Sequence, residues 1–311
     1  MNTKIKGLHH ITAVSGPPQK NYDFYRNTIG LRFTKKTVNF DDPTTYHLYY
    51  GNYNATPGSS ITFFPWTHVG QGSPSTGEAT VVDYAIPVNS ISYWKNRFDK
   101  LEIKYENQTT LFGFHMLPLQ DNDGMMIRLV EDKRVNAFET KGMGEVNDTH
   151  AIRGFFGTTL SLADPGRTAE LLSEFGWEHS GSENEINRYT SEPDNNLGTV
   201  VDLKKDPNLN GRFGRGSIHH IAFRVPDDEL QAEWREKLIK MGFQVTPVQN
   251  RDYFRSIYFR EPGGVLFEIA TDSPGFMKDE PLDKLGEKLQ LPAWYEKKRQ
   301  QIESQLPPIN T

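Results

Sequence analysis

Apolar and polar positions alternate along this chain with two periods, and the periods follow one another in a fixed order. A period-2 run at residues 8–14 predicts a strand, and helical spacing over residues 18–28, ended by Gly30, predicts a helix. Three strand-like runs follow near residues 32–39, 46–50 and 60–65. The plan then recurs. A second unit has a strand at 80–88, a helix at 90–101 and three strands between Ile103 and Glu131. A third has a strand at 157–162, a helix at 167–175 and strands near 186–190 and 198–203. A fourth has a strand at 217–225, a helix at 228–241 and strands at 244–248, 255–260 and 265–270.

Each unit is read as βαβββ, although only two of the third unit's last three strands stand out in the pattern. Three strands after a single crossover cannot build a doubly wound sheet, so the expected class is α+β with mixed, mostly antiparallel sheets. A polar stretch at 133–148 reads as a linker between an N-terminal pair of units (1–145) and a C-terminal pair (150–275). The pattern stops at Phe276, leaving a charged, Pro-punctuated extension (276–311) with one predicted helix at 294–306.

Composition narrows the function classes. In 311 residues, 35 Lys and Arg face 40 Asp and Glu, a formal net charge of −5 with no dense basic cluster, which argues against a nucleic-acid partner. No apolar run approaches the length of a signal h-region or a membrane span, so the default expectation is a cytoplasmic protein that spans no membrane. The absence of cysteine excludes disulfides, thiolate metal sites and cysteine nucleophiles together. A homodimer is the ordinary oligomeric expectation.

The chemistry concentrates in two histidine pairs and one glutamate. Unit one opens with Gly7-Leu8-His9-His10-Ile11-Thr12 and unit four with Ser217-Ile218-His219-His220-Ile221-Ala222. Neighbouring strand residues point to opposite faces, so strict alternation lets one histidine of each pair look into a cavity. Parity puts His219 with Ile221, Phe223 and Val225 on the apolar face, and His220 with Ala222 and Arg224 on the other. By the same count His10 shares its face with Thr12, and His9 with Ile11. In the last strand of unit four, Val265, Phe267 and Ile269 form the core face and Glu268 lies opposite.

A mid-strand carboxylate among apolar residues needs compensation. Two neutral imidazoles and one carboxylate form the facial triad that suits non-haem Fe(II) and leaves positions open for substrate and O2. The competing readings are hydrogen-bonded core histidines kept by duplication, and a Glu268 paired with Arg255 or Arg260. The remaining histidines, His47, His68, His115, His150 and His179, lack matching partners and read as structural or solvent-exposed.

The run FYRNTIGLRF (24–33) resembles the helix-to-strand turn of the vicinal oxygen chelate superfamily, and IYFREPGGVLFEIATD (257–272) its metal-carboxylate strand. The opening GLHHIT, YHLYYG (46–51), RDYFRSIYF and the tail segment LPAWYEKKRQQIE are similar, more narrowly, to ring-cleaving dioxygenases acting on hydroquinones. The resemblance implies four βαβββ modules in two curled-sheet domains, with modules one and four sharing a metal cup. It implies Fe(II), O2 and a small aromatic substrate, with no organic cofactor, and a part in quinone detoxification. Carried over by position, the ligands are His10, His220 and Glu268, and the surrounding catalytic positions are His9, Thr12, His219, Arg251 and Tyr258, with Ser256 on the same side as Tyr258.

Glyoxalase-type isomerases of this architecture use a fourth, carboxylate ligand from the partner module. Here Phe64 is expected at the place matching Glu268, which disfavours the isomerase. An O2-independent metal lyase and a metal-free binder of small aromatics remain the alternatives.

Overall fold

The computed structural model describes residues 4–192 and 197–311. Module one contains β1 (Leu8–Ser15), α1 (Pro18–Tyr22) running into a π-helical stretch at Asp23–Thr28, then β2 (Arg32–Val38), β3 (Tyr46–Gly51) and β4 (Ser60–Pro65). Module two contains β5 (Glu78–Ile86), α2 (Ile91–Lys100), β6 (Thr109–Leu111), β7 (Phe114–Gln120) and β8 (Met126–Glu131). Module three contains β9 (Gly154–Leu162), α3 (Gly166–Glu174), β10 (Glu178–Glu183), β11 (Ile186–Thr190) and β12 (Val200–Lys205). Module four contains β13 (Ile218–Val225), α4 (Asp228–Lys240), β14 (Gln249–Asn250), β15 (Arg255–Arg260) and β16 (Leu266–Thr271), and α5 (Arg299–Gln305) closes the chain.

The strands form two eight-stranded, curled half-barrel sheets. One runs β14-β15-β16-β13-β1-β4-β3-β2, joining modules four and one; the other runs β10-β11-β12-β9-β5-β8-β7-β6, joining modules three and two. Antiparallel β1–β13 and β5–β9 contacts stitch the halves of each sheet. This is an α+β fold, and no helix among the described residues is long and apolar enough to cross a membrane.

Local signals explain most elements. The Asp227 carboxylate caps α4 by accepting the Leu230 N–H at 2.9 Å, and acids in the first turn with lysines in the last complement its dipole. Gly30 ends the first helix at φ 69°, where a Cβ would lie 2.3 Å from Val146 Cγ2.

Three expectations need correction. Residues 244–248 are not a strand: Pro247 has no N–H to give a ladder, and the Thr246 hydroxyl, rather than a backbone carbonyl, takes the Tyr258 N–H. β10 (EHSGSE) escaped the pattern because it is a polar edge strand with little to bury. The predicted tail helix resolves into a 3-10 turn at Glu296–Lys298 and the short α5. The 133–148 stretch runs between β8 of module two and β9 of module three, and it packs on the fold through the buried Val135 and Val146.

The two sheets differ inside. In the second, Arg128 and Asp83 pair through two hydrogen bonds, Arg188 and Asp202 pair at 2.7–2.8 Å, and the Arg188 guanidinium lies 4.2 Å from the Phe112 ring centroid and 5.3 Å from that of Phe156. Ions and aromatic rings fill that interior. The first sheet stays open. The C-terminal extension packs on the cup side of β2, where Asp279 and Glu280 grip the fully buried Lys35 ammonium.

A candidate metal centre in the first cup

The histidine pairs sit where β1 and β13 cross, and the crossing is bulged twice. Leu8 lies opposite Phe223 and His10 opposite Ala222, so His9 is the extra residue; Thr12 lies opposite His220 and Ala13 opposite Ile218, so His219 is the extra residue. The result corrects strict alternation. Leu8 and Ile11 enter the same core although two residues separate them, as do Ile218 and Ile221, and both imidazoles of each pair turn to the open side of the sheet.

Three ligand-type atoms converge there. Nε2 of His10 and Nε2 of His220 are 3.4 Å apart, and they stand 3.3 and 2.9 Å from Oε2 of Glu268. Among the described residues, this is the group of histidine and carboxylate side chains close enough to hold an ion. Ligand atoms about 2.1 Å from one ion and at right angles stand about 3 Å apart, so the spacing fits a facial triad.

The carboxylate is fully buried; Oε1 accepts from the Ser256 hydroxyl, whereas Oε2 accepts no aligned hydrogen bond. Burial would raise the Glu268 pKa, but His10 and His220 outweigh it and hold the carboxyl well below the usual range. Neither Arg255 nor Arg260 is its partner: Arg255 pairs with Asp228, and Arg260 donates to the Gly264 carbonyl.

Behind His10 and His220 stand their neighbours in sequence. His10 Nδ1 is 2.9 Å from His9 Nδ1, and His220 Nδ1 is 2.8 Å from His219 Nδ1. Burial holds His9 well below its ordinary pKa and lowers His219 to about 3, with the adjacent histidine adding to each effect. Both are neutral imidazoles. His9 also hydrogen-bonds the Thr271 backbone, which leaves its Nδ1 lone pair to accept the His10 Nδ1–H. That tautomer presents a bare Nε2 to the centre.

The centre opens into a cavity of about 390 Å³ with a largely aromatic wall that includes Tyr49, Phe64, Trp66, Phe254 and Tyr258. Phe64 and Trp66 stack at 5.5 Å, and Phe254 lies 4.9 Å from the His10 ring. Arg251 Nε donates to Tyr258 Oη at 3.1 Å while its NH1 reaches Asp41 at the same distance. Burial and the charge of Glu268 raise the Tyr258 pKa, against the pull of Arg251. Tyr258 is therefore held as a neutral phenol whose oxygen accepts the Arg251 N–H.

Two readings change here. His47 is neither isolated nor solvent-exposed: it lines the cavity, with Nε2 2.8 Å from Thr62 Oγ1 and Nδ1 2.9 Å from Tyr49 Oη. The clue lay in the alternation of β3, which puts His47 and Tyr49 on one face. The counterpart of Glu268 is Thr62, not Phe64, because Glu268 lies opposite Ala222 and Thr62 opposite Thr12 in equivalent parallel ladders. Thr62 is hydrogen-bonded to Thr12 at 2.8 Å. The inference drawn from Phe64 survives, since neither residue is a carboxylate. Sequence reasoning missed Asp41 and Phe254, although Phe254 lies in the RDYFRSIYF run; each reaches the site from a loop.

The fold and this centre define a class. The family model for the Glyoxalase/Bleomycin resistance protein/Dioxygenase superfamily matches residues 7–269, and the chain belongs to that superfamily, among its ring-cleaving dioxygenases. It is 46% identical to "Putative ring-cleaving dioxygenase MhqO" of Bacillus subtilis (strain 168), over 99% of this chain and 98% of that one. It is 31% identical to a chlorohydroquinone/hydroquinone 1,2-dioxygenase of Sphingobium indicum, over 93% and 92%. A crystal structure titled "putative dioxygenase", from Bacillus subtilis subsp. subtilis str. 168, superposes with a TM-score of 0.94 at 45% identity, covering 99% of this chain and 98% of that one. Maize glyoxalase I, at 12% identity and a TM-score of 0.61 over 86% of this chain and 92% of its own, shares the fold.

Proposed function

We propose that the protein cleaves the ring of a hydroquinone- or catechol-like substrate with O2, using Fe(II) held by His10, His220 and Glu268. The observation that carries this reading is the unsatisfied, fully buried Oε2 of Glu268 facing two imidazole Nε2 atoms at the floor of an aromatic cavity. The bound iron supplies Lewis acidity toward a phenolate oxygen and a redox partner for O2.

The chain's own residues do the rest. Phe64, Trp66 and Phe254 bind the ring by face and edge and exclude water. Tyr258, kept protonated, donates to a substrate oxygen, and Arg251 holds that phenol in place while bringing positive charge toward developing negative charge. His9 and His219 accept the Nδ1 protons of the two ligand histidines and so fix their tautomers. Thr12, tied to Thr62, walls the side of the centre where a glyoxalase-type isomerase has its fourth carboxylate.

O2 uptake by anaerobically Fe(II)-reconstituted protein tests the reading, with 2-methylhydroquinone, catechol and a buffer blank as the three arms. Hydroquinone-dependent uptake near one O2 per ring opened is the expected result. Glu268→Ala should retain the fold by circular dichroism and lose both iron and turnover. Full activity with iron bound in that variant sinks the triad, and turnover of a glyoxalase substrate without O2 redirects the assignment.

A further inference from the structure

The metal cup is not the only cavity on this face. A second one, of about 400 Å³, abuts it, and Trp66, His219 and Leu266 line both. We propose that this second cavity is a subsite for an apolar ring substituent, so that alkyl-substituted dihydroxybenzenes, rather than the bare ring, are the preferred substrates. The proposal rests on the ring-cleaving reading above and names its substrate class.

Phe213 carries the argument. Its side chain is 49% exposed, yet its backbone is not loose. On one side Arg212 and Ser73 exchange N–H···O bonds at 3.2 and 2.9 Å. On the other, Arg215 donates to Gly70 at 3.0 Å and accepts from Gly72 at 2.8 Å. A rigid ladder thus presents an uncovered aromatic ring to the cavity. That ring and Trp66 each meet the His219 imidazole with centroids 6.0 Å apart, so the apolar wall continues from one cavity into the other through the shared partition.

The charged groups around the second cavity do not build an anion site. Arg260 donates NH1 to the Gly264 carbonyl at 2.7 Å, and Glu78 presents a carboxylate of its own, which a second carboxylate would meet with repulsion. An alkyl chain packs along the apolar side of this mixed lining, formed by Trp66, Phe213, Ile218, Val265 and Leu266.

The test is a series of hydroquinones bearing methyl, propyl and pentyl groups, with a carboxyethyl analogue, assayed by O2 uptake. In the parent protein kcat/KM should rise about threefold per added methylene, carried mainly in KM. Phe213→Ala, which removes the wall, should at least halve that slope on a logarithmic scale. Glu78→Phe, which fills the cavity, should abolish it. Neither residue lines the metal cup, and both variants should turn over 2-methylhydroquinone within about twofold of the parent.

A flat or falling series, a slope unchanged in both variants, or a preference for the carboxyethyl analogue overturns the subsite. Should no hydroquinone be turned over at all, the ring-cleaving reading fails by itself. The subsite is then read from the calorimetric affinity of 4-alkylphenols, which must rise with chain length in the parent and not in Glu78→Phe.

Discussion

Replacing His9 by phenylalanine isolates the tautomer argument from the ligand argument. Phenylalanine keeps the ring that packs 5.1 Å from Phe254 and fills the same space, but it removes the Nδ1 acceptor 2.9 Å from His10 Nδ1. His9 is only 4% exposed, so no bulk water replaces the lost partner. His10 then has two choices. It can keep its proton on Nδ1, leaving a buried donor unsatisfied at about 1–3 kcal/mol, or move the proton to Nε2 and lose the lone pair that faces the centre.

Either choice weakens the ion's hold, and the loss of such a partner typically costs 10–100-fold in metal affinity, or about 1.4–2.7 kcal/mol. Metal-stripped protein titrated anaerobically with Fe(II) against a competing chelator reads the dissociation constant directly, and the metal-dependent rise in Tm should shrink in parallel. His219→Phe should move the same way by less, because His219 is only half-buried and water can reach its neighbour. Unchanged affinity in His9→Phe refutes the tautomer role, and a larger loss in His219→Phe refutes the burial argument.

Three further outcomes follow from the same geometry. Tyr258→Phe should lower kcat by roughly 10²-fold or more while iron affinity stays within about twofold, since the lost group is a hydrogen-bond donor and not a ligand; an equal fall in iron affinity contradicts this. His9, His47, His219 and His220 all have pKa values pushed below the ordinary 6.5, mainly by burial, so the unfolded chain takes up protons first as pH falls. The Tm of metal-free protein should therefore decline from about pH 6.5 downward. Asp121, raised to about 6 by burial, works in the opposite sense between about pH 4 and 6, and an acid-stable Tm would mean that the histidines are not buried neutral. Arg188→Ala should destabilise the protein by about 3–5 kcal/mol in chemical denaturation, leaving Asp202 buried without its cation, while iron affinity is unaffected.

What the chain could and could not say about itself divides along physical lines. The repeated βαβββ order was legible because each strand and helix carries its own periodicity; β10 was not, because an edge strand of polar residues has no buried face to betray it. The residues of the triad were also legible. His10, His220 and Glu268 stand out as polar positions inside apolar strands, and parity chose them for a reason that proved incomplete.

Parity assumes an unbroken ladder. Whether β1 and β13 are bulged depends on how the two strands meet, across a sequence separation of about two hundred residues, and that meeting turns His9 and His219 to the same side as His10 and His220. The same holds for Thr62 in place of Phe64, for His47 in the wall, and for Asp41 and Phe254, which enter the site from loops. A sequence read alone determines which residues can be buried and with what local period, because those depend on neighbours along the chain. Which faces meet, and what therefore stands beside the centre, is decided only when distant strands settle their register.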